Sequence, residues 1–461
     1  MRNIVLVTFD SLRADHCSFM GYERETTPTL DTMADNGIVF ENAIAPASRT
    51  NPAMAGAFTG EPLVAHDRVA NPEHSRRHLR RHGTLAETLT RQGYEAIAFC
   101  PNAYASRYYG FDRGFDRFED FLFDSSWYQK LFDRQLAGSS IYTAFRNLRN
   151  YVRRQEAFKT WDTYIDEIEQ TIAGRDTENP FFLWVFSLDT HFPYLTPRRY
   201  RRWSTWFDNY YYNWRCNQLI DQFNVELSAY ERQQILNIYD DSLAFGDHLL
   251  RELQDRLAEY DPVFVVHGDH GEAFDERGIY GHFYPELYEE NIRVPLVVSG
   301  KETPSTRVNR PVSLLQLPDL IQAMSTLSEE QALQPEQRRA LSGNDWVVAS
   351  DFDGRRNRQL TAVRTKNLKY ILRSANDEPP QRELYDLADD PNEQSNVAET
   401  HAAADALHQL AARRRTHERE LLTLRQASNQ LTLTAGDGDP VPDGTRIDSQ
   451  ARQTKSGIDS I

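Results

Sequence analysis

MRNIVLVTFD, residues 1–10, decides the fold. The run from Ile4 to Phe9 is apolar, rich in β-branched residues and free of alternation, the pattern of a strand buried on both faces, and it ends on a carboxylate, Asp10. Downstream, Thr27-Pro28 supplies an N-cap with proline at the first helical position, and the helix TLDTMADNG stops at Gly37. IVFENAI (38–44) reads as a second short strand. Thr84-x-x-Glu87 is a capping box for a helix to Gln92, which Gly93 ends before the strand YEAIAF. The same rhythm returns at Phe181–Leu188, Pro262–Val266 and Val294–Ser299. Strands alternating with helices predict an α/β chain built on a mostly parallel sheet flanked by helices.

The middle of the chain, about 120–180 and 196–260, is aromatic, Arg-rich and helix-prone, and reads as helical insertions beside that sheet. From about 345 the pattern changes to short strands, WVVAS, QLTAVRT and LKYIL, separated by turn residues. This predicts a smaller antiparallel piece closed by a helix from about 401 to 426. The expected organisation is an α/β domain with helical insertions over 1–344, a C-terminal subdomain with its closing helix over 345–426, and a polar tail over 427–461 whose lack of large apolar groups predicts disorder.

Composition narrows the function. Of the 461 residues, 40% are hydrophobic and 11% aromatic, which is globular. The formal net charge is −16, and six of the 52 basic residues are lysine. A chain this acidic argues against nucleic acid as the main partner. The acidic, Lys-poor, Arg-rich balance also suits a high-salt cytoplasm, where surface self-repulsion is screened. Cys17, Cys100 and Cys216 are too few and too scattered for a disulfide framework or a zinc knuckle. No apolar run approaches the ~20 residues of a membrane span, and Asp10 interrupts the first one too early for a signal peptide. The expectation is a soluble cytoplasmic protein without a transmembrane segment.

Ligands of doubly wound sheets collect at the carboxyl ends of the strands. Asp10 sits at one such end, Asp189 and His191 at a second, Asp269 and His270 at a third. A single Asp there is commonly a helix cap or a turn residue. Asp-His pairs after two strands, together with Asp10, point to a metal site of carboxylate and imidazole ligands.

Ten blocks in order carry a family resemblance: NIVLVTFDSLRADH, TTPTLDTMADNGIVFENAIAP, NPAMAGAFTG, GTLAETLTRQGYEAIAF, GFDRGFDRFEDF, SLDTHFPY, VVHGDHGEAFDERGIYGH, ELYEENIRVPLVVSG, AVRTKNLKYIL and ELYDLADDPNEQSNVAE. Over about residues 1–400 the chain resembles the sulfatase family of the alkaline phosphatase superfamily. The resemblance implies an α/β core with a small C-terminal subdomain, Asp10 as the first metal carboxylate, and Asp269 with His270 as the second ligand pair. It implies a nucleophile in a Cys/Ser-x-Pro-x-Arg motif. Counted back from Thr59-Gly60, this chain reads Thr50-Asn51-Pro52-Ala53-Met54. The proline is kept, Thr50 takes the nucleophile position and Met54 replaces the arginine. Ser11 stands where many family members carry a second Asp.

Threonine is not a substrate for the oxidation that gives family sulfatases their formylglycine. A Thr50 ester would have to be cleared by attack on sulfur or phosphorus, as in the superfamily branches that transfer phosphoryl groups with Ser or Thr. Thr50 also reads as the N-cap of a helix over Pro52–Phe58, a role compatible with a nucleophile. His191, in DTHFPY, matches the residue that touches the ester's charged oxygens, and His282, in GIYGH, stands at the substrate side; either could protonate the leaving oxygen. Asp189 could serve a second metal or orient His191. Asn102 and Arg13 are candidate substrate contacts, Asn102 reading first as a turn residue and Arg13 equally as a partner of Asp15. The Arg76–Arg81 run reads as a solvated helix face, and the Arg198–Arg202 cluster as a recognition element for a charged glycan or lipid head group.

These readings describe an enzyme that cleaves or transfers a sulfate or phosphate ester through Thr50. One divalent cation, Mn²⁺, Zn²⁺ or Ca²⁺, would be held by Asp10, Asp269, His270 and the Thr50 oxygen. The substrate would be a sulfated or phosphorylated small molecule or glycan. Two alternatives share the same residues: a sulfo- or phosphotransferase acting on a surface glycan or its lipid-linked precursor, and a non-catalytic binding protein, for which Met54 and Ser11 speak.

Overall fold

The computed structural model describes residues 1–64, 70–121, 159–176, 178–220, 222, 224–326, 335–375 and 379–435. Most of the first expected insertion, 122–158, and the end of the tail, 436–461, lie outside them.

Eight strands make the main sheet: β1 (Ile4–Phe9), β2 (Gly37–Phe40), β3 (Glu95–Phe99), β4 (Arg117–Glu119), β5 (Phe181–Ser187), β6 (Val263–Gly268), β7 (Leu296–Ser299) and β8 (Thr306–Val308). Their order is β8-β2-β7-β6-β1-β5-β3-β4. Only β7 is reversed, antiparallel to β2 and β6, and the other five pairings are parallel. The opening run is therefore the central strand, and every one of its residues is buried. Side chains alternate across it. Ile4 and Leu6 enter one core, shared with the helices Thr50–Thr59 and Leu85–Arg91. Val5, Val7 and Phe9 enter the other, shared with the helices Pro28–Asp35, Ile165–Ala173 and Ala229–Arg256. Burial on both faces is why the run reads as continuously apolar.

The capping box at Thr84 is present, with both reciprocal bonds. The segment IVFENAI is not one strand. It gives β2 to the main sheet and then, past Glu41-Asn42, Ala43–Ile44 to a separate three-stranded sheet. The Glu41 N–H bonds Val308 O (2.9 Å) and Asn42 Nδ2 bonds Asn309 O (2.7 Å), which turns the chain out of the first sheet.

The C-terminal strands β9 (Trp346–Asp353), β10 (Arg358–Thr365), β11 (Leu368–Ala375) and β12 (Gln381–Asp386) form an antiparallel meander. Val347, Ala349, Leu360, Ala362 and Ile371 join the first core. The other face packs Val363, Tyr370, Leu372 and Leu384 against Ala404, Leu407 and Ala411. Met1–Leu122 and Arg154–Ala411, which include this meander, make one compact unit. The C-terminal helix runs Ala404–Ala435 and so enters the stretch expected to be disordered, because its sequence meets no Gly or Pro before Gly436.

Candidate active site

Four adjacent parallel strands, β6, β1, β5 and β3, bring their carboxyl ends to one edge of the sheet. The ladder continues one residue past the strands: the Asp10 N–H bonds Ser187 O (3.0 Å) and the Asp269 N–H bonds Phe9 O (3.1 Å). Both carboxylates thus leave the sheet on fixed backbone. Beneath them the buried polar groups of the three central strands satisfy one another, Thr8 Oγ1 lying 2.9 Å from His267 Nε2 and accepting from Trp184 Nε1 at 3.1 Å.

Asp10, Asp269 and His270 are fully buried, and their donor atoms lie within 4.8 Å of one another. No other such group of three ligands occurs among the described residues. Next to His270, Gly271 lets the chain pass close against another segment, since a Cβ there would sit 2.0 Å from Glu290 O. Asp269 Oδ1 accepts from the N–H groups of Ser11 (3.0 Å) and His270 (2.7 Å), whereas Oδ2 is buried without a hydrogen-bond partner. Burial and then the neighbouring Asp10 push the Asp269 carboxyl well above its ordinary range. His270 Nδ1 lies 2.8 Å from Gly271 O, a pure acceptor, so that nitrogen carries the proton and Nε2 keeps its lone pair. Burial, with His282 beside it, pushes the His270 ring down to about 4, and it is neutral at pH 7. Two carboxylates, one with an orphaned oxygen, and a neutral imidazole make a donor set that fits a divalent cation.

Thr50 is the first residue of the helix Thr50–Thr59; its N-cap is Arg49, without a side-chain cap bond. The Thr50 hydroxyl instead lies 3.1 Å from His270 Nε2. Met54 is fully buried in the first core, so its position on this helix faces packing. Ser11 adopts φ +58°, in the left-handed region, and donates from Oγ to Asp10 Oδ1 at 3.1 Å. Its short side chain bonds back to the neighbouring carboxylate, which helps hold a conformation costing about 1 kcal/mol.

His282 is buried, with its ring centroid 4.4 Å from that of His270 and 5.3 Å from that of His191. Its Nδ1 is 2.9 Å from Glu272 Oε1. Burial opposes the charged ring, but the Glu272 carboxylate outweighs it and holds His282 above its ordinary value. His191 is half-buried, with Nδ1 on Phe192 O. The two remaining candidates are committed to protein partners. Asn102 Nδ2 donates to Asp10 Oδ2 (2.5 Å) while its Oδ1 accepts from Tyr104 N (2.7 Å), combining a turn with the orientation of Asp10. Arg13 is buried and bonds Asp15 (2.7 Å), Glu276 (2.6 Å) and Glu272 O (2.9 Å), so the pairing with Asp15 is realised.

Asp189 turns away from the ligand group. It accepts from Ser187 Oγ (2.6 Å) and Trp161 N (3.3 Å). Burial pushes it up to about 7 despite those bonds. A carboxyl raised in the folded state contributes stability that is complete below its unfolded pKa of about 3.9 and lost as pH rises through the folded value. Asp189→Asn is therefore expected to flatten the stability profile between about pH 4 and 7 and to be the more stable protein at pH 8, by up to about 4 kcal/mol at 1.4 kcal/mol per unit. Denaturant midpoints across that range check it; parallel profiles would refute the assignment.

Two groups that serve this site escaped the sequence reading. Glu272 stood inside a quoted block but had no visible partner until the fold brought His282 to it. Asp351, on β9, is fully buried and accepts from Ser48 N (3.1 Å), Ser48 Oγ (3.0 Å) and Arg49 Nε (3.1 Å). It fixes the two residues before Thr50 from 302 positions away, and no local spacing signals that. Asp351→Asn is expected to cost about 2–3 kcal/mol, slightly below the range for a broken buried pair because the Arg49 side chain is 16% exposed. Thermal unfolding and kcat should fall together.

A sulfatase family profile matches residues 2–327. A sulfatase of Formosa agariphila is 21% identical over 448 aligned positions, spanning 86% of this chain and 83% of that one. The Kdo(2)-lipid A phosphoethanolamine 7''-transferase of Escherichia coli is 25% identical over 137 positions, 29% of this chain and 21% of its own. A solved structure in complex with its substrate D-glucosamine-2-N,6-O-disulfate superposes with a TM-score of 0.64 at 14% identity, covering 91% of this chain and 98% of that one. The phosphonate monoester hydrolase of Agrobacterium radiobacter gives 0.60 at 18% identity, covering 93% and 96%. At these identities the structural likeness speaks for the fold.

Proposed function

The chain belongs to the sulfatase family and acts on sulfate or phosphate esters, and from that premise we propose that Thr50 is the nucleophile of a metal-dependent ester-cleaving or ester-transferring reaction. The observation that carries this reading is the Thr50 hydroxyl 3.1 Å from the unprotonated nitrogen of His270, at the edge of the Asp10–Asp269 pair. Asp10, Asp269, His270 and the Thr50 oxygen would hold one divalent cation, and its chemistry when bound is to lower the hydroxyl's pKa and stabilise charge on the transferring group. Mn²⁺ and Zn²⁺ suit the imidazole donor, and the carboxylates also admit Ca²⁺.

Thr50 Oγ attacks sulfur or phosphorus, the ester oxygen departs, and the group is left on Thr50. His282 protonates the leaving oxygen from Nε2, its Nδ1–H being held by Glu272. His191, beside it, meets the charged oxygens of the group. In the second half, water or an acceptor hydroxyl attacks the same atom and gives its proton to His282 Nε2, and Thr50 departs as the alkoxide that opened the cycle. Oxidation of threonine, a secondary alcohol, gives a ketone and not the aldehyde of formylglycine, so direct displacement must clear the Thr50 ester.

Transfer to an acceptor hydroxyl is supported by the 137-position match to a phosphoethanolamine transferase. The two outcomes share the covalent intermediate and differ in what reaches it. The test is turnover of matched aryl sulfate, phosphate monoester and phosphodiester substrates by protein stripped with chelator and reloaded with Mn²⁺, Zn²⁺ or Ca²⁺. Turnover of one class, restored by one ion, is the expected result. No turnover by metal-loaded protein, with or without glycan acceptors, would leave a binding protein.

A further inference from the structure

Of the nine large hydrophobic side chains exposed among the described residues, Trp206, Phe207, Tyr210, Tyr211 and Trp214 lie on one helix, Trp206–Leu219, and a sixth, Tyr230, opens the next. Trp206 and Tyr210 are each 71% exposed. A water-facing helix surface in a chain of net charge −16 ordinarily carries carboxylates. This one carries rings. The helix is held rigidly behind them: Thr205 and Asp208 form a capping box, and Asn209, Tyr212, Cys216 and Leu219 are buried on the opposite face. The exposed surface is therefore not a core face left uncovered.

Its neighbours in the chain are basic. Arg198 and Arg199 are exposed, and neither forms an ion pair among the described residues, whereas Arg202 is bonded to Glu25. The surface is also tied to the catalytic edge. Asn213 Oδ1 accepts from Tyr194 N (2.8 Å) and Asn209 Nδ2 donates to Tyr194 O (3.0 Å), three residues beyond His191.

We propose that this aromatic face, preceded in the chain by Arg198 and Arg199, docks the protein on the interfacial layer of an anionic lipid bilayer, with the His191 loop tied to the helix that carries it. Trp and Tyr with a flanking Phe and arginines are the residues that settle at head-group level. No described helix is long and apolar enough to cross a membrane, so the contact is peripheral. Ring geometry favours lipid over a glycan. The five rings project from the outer side of a single helix, opposite its buried residues, and so present a convex surface. Rings on a convex surface can enter the head-group layer together, whereas sites for small polar ligands are concave. Charge selects the orientation. The acidic remainder of the chain is repelled by an anionic surface, and the stretch that carries Arg198 and Arg199 is the part drawn to it. The inference does not depend on Thr50 being the nucleophile.

The experiment is flotation of the full chain with vesicles of phosphatidylcholine alone or with a third phosphatidylglycerol, at low salt. It is followed by tryptophan emission with bromine-labelled lipids. Wild type should float with the anionic vesicles, and its emission should be quenched. The triple variant Trp206→Ser/Phe207→Ser/Tyr210→Ser should lose about tenfold in bound fraction. An unchanged circular dichroism spectrum and unchanged turnover of a soluble ester would show that it is folded. Arg198→Ser/Arg199→Ser should lose the preference for anionic lipid. Wild type that stays in solution with both vesicles overturns the proposal, as does a triple variant that floats equally. Binding of the wild type to heparin, lost in the triple variant while vesicles are ignored, would also overturn it and assign the face to a polyanionic glycan.

Discussion

Thr50→Ala is expected to lose about 10³–10⁴-fold or more in kcat on whichever ester class the wild type turns over, with the fold intact. The substitution removes the hydroxyl and a methyl group from a residue at the start of a buried helix turn and leaves Asp10, Asp269 and His270 in place. Thr50→Ser keeps the oxygen and should retain activity within about tenfold, because the hydroxyl's neighbour, His270 Nε2, is unchanged. The pair of variants separates a nucleophile from a packing role: a packing residue would be harmed more by Ser, which loses a methyl group and gains freedom, than this reading allows. Measured on aryl sulfate, phosphate monoester and phosphodiester, equal activity of Thr50→Ala and wild type would exclude a covalent Thr50 intermediate.

The second large effect lies in the ligands, and its sign depends on the metal. Asp269→Asn in reloaded protein should lower metal affinity by more than the 10–100-fold that loss of an outer-shell partner costs, and abolish turnover. Elemental analysis after dialysis should fall from one ion per chain toward none. In chelator-treated protein the same substitution should raise the melting temperature. There, Asp269 is buried beside Asp10 with one oxygen unpartnered, and ionising it is unfavourable. A carboxamide ends that repulsion. If Asp269→Asn destabilised the stripped protein as much as the loaded one, the carboxylate would be a structural hydrogen-bond acceptor and not a ligand.

What the sequence made legible follows from where the information is local. The continuous Ile4–Phe9 run marks burial on two faces, and the Thr84–Glu87 box is read from four residues. Asp10, Asp269 and His270 stand at strand ends, where the topology of parallel sheets gathers ligands. Non-local partners stayed hidden. Arg13 is a plausible anion contact until Glu276 is seen beside it, and Glu272 acquires its role only when the turn at Gly281 returns His282 to it. The C-terminal helix continues past residue 426 to Ala435 because a polar composition does not by itself end a helix, and no Gly or Pro interrupts that stretch.

The grip of Asp351 on Ser48 and Arg49 sets an order of events during synthesis. A ribosome adding ~5–20 residues per second delivers Asp351 about 15–60 s after Arg49. Thr50 and all three ligands have by then been made, the last of them His270. A nascent chain halted before residue 351 would carry every reacting group and yet lack the carboxylate that binds Ser48 and Arg49. The support for the start of the Thr50 helix is thus complete only when β9 is in place.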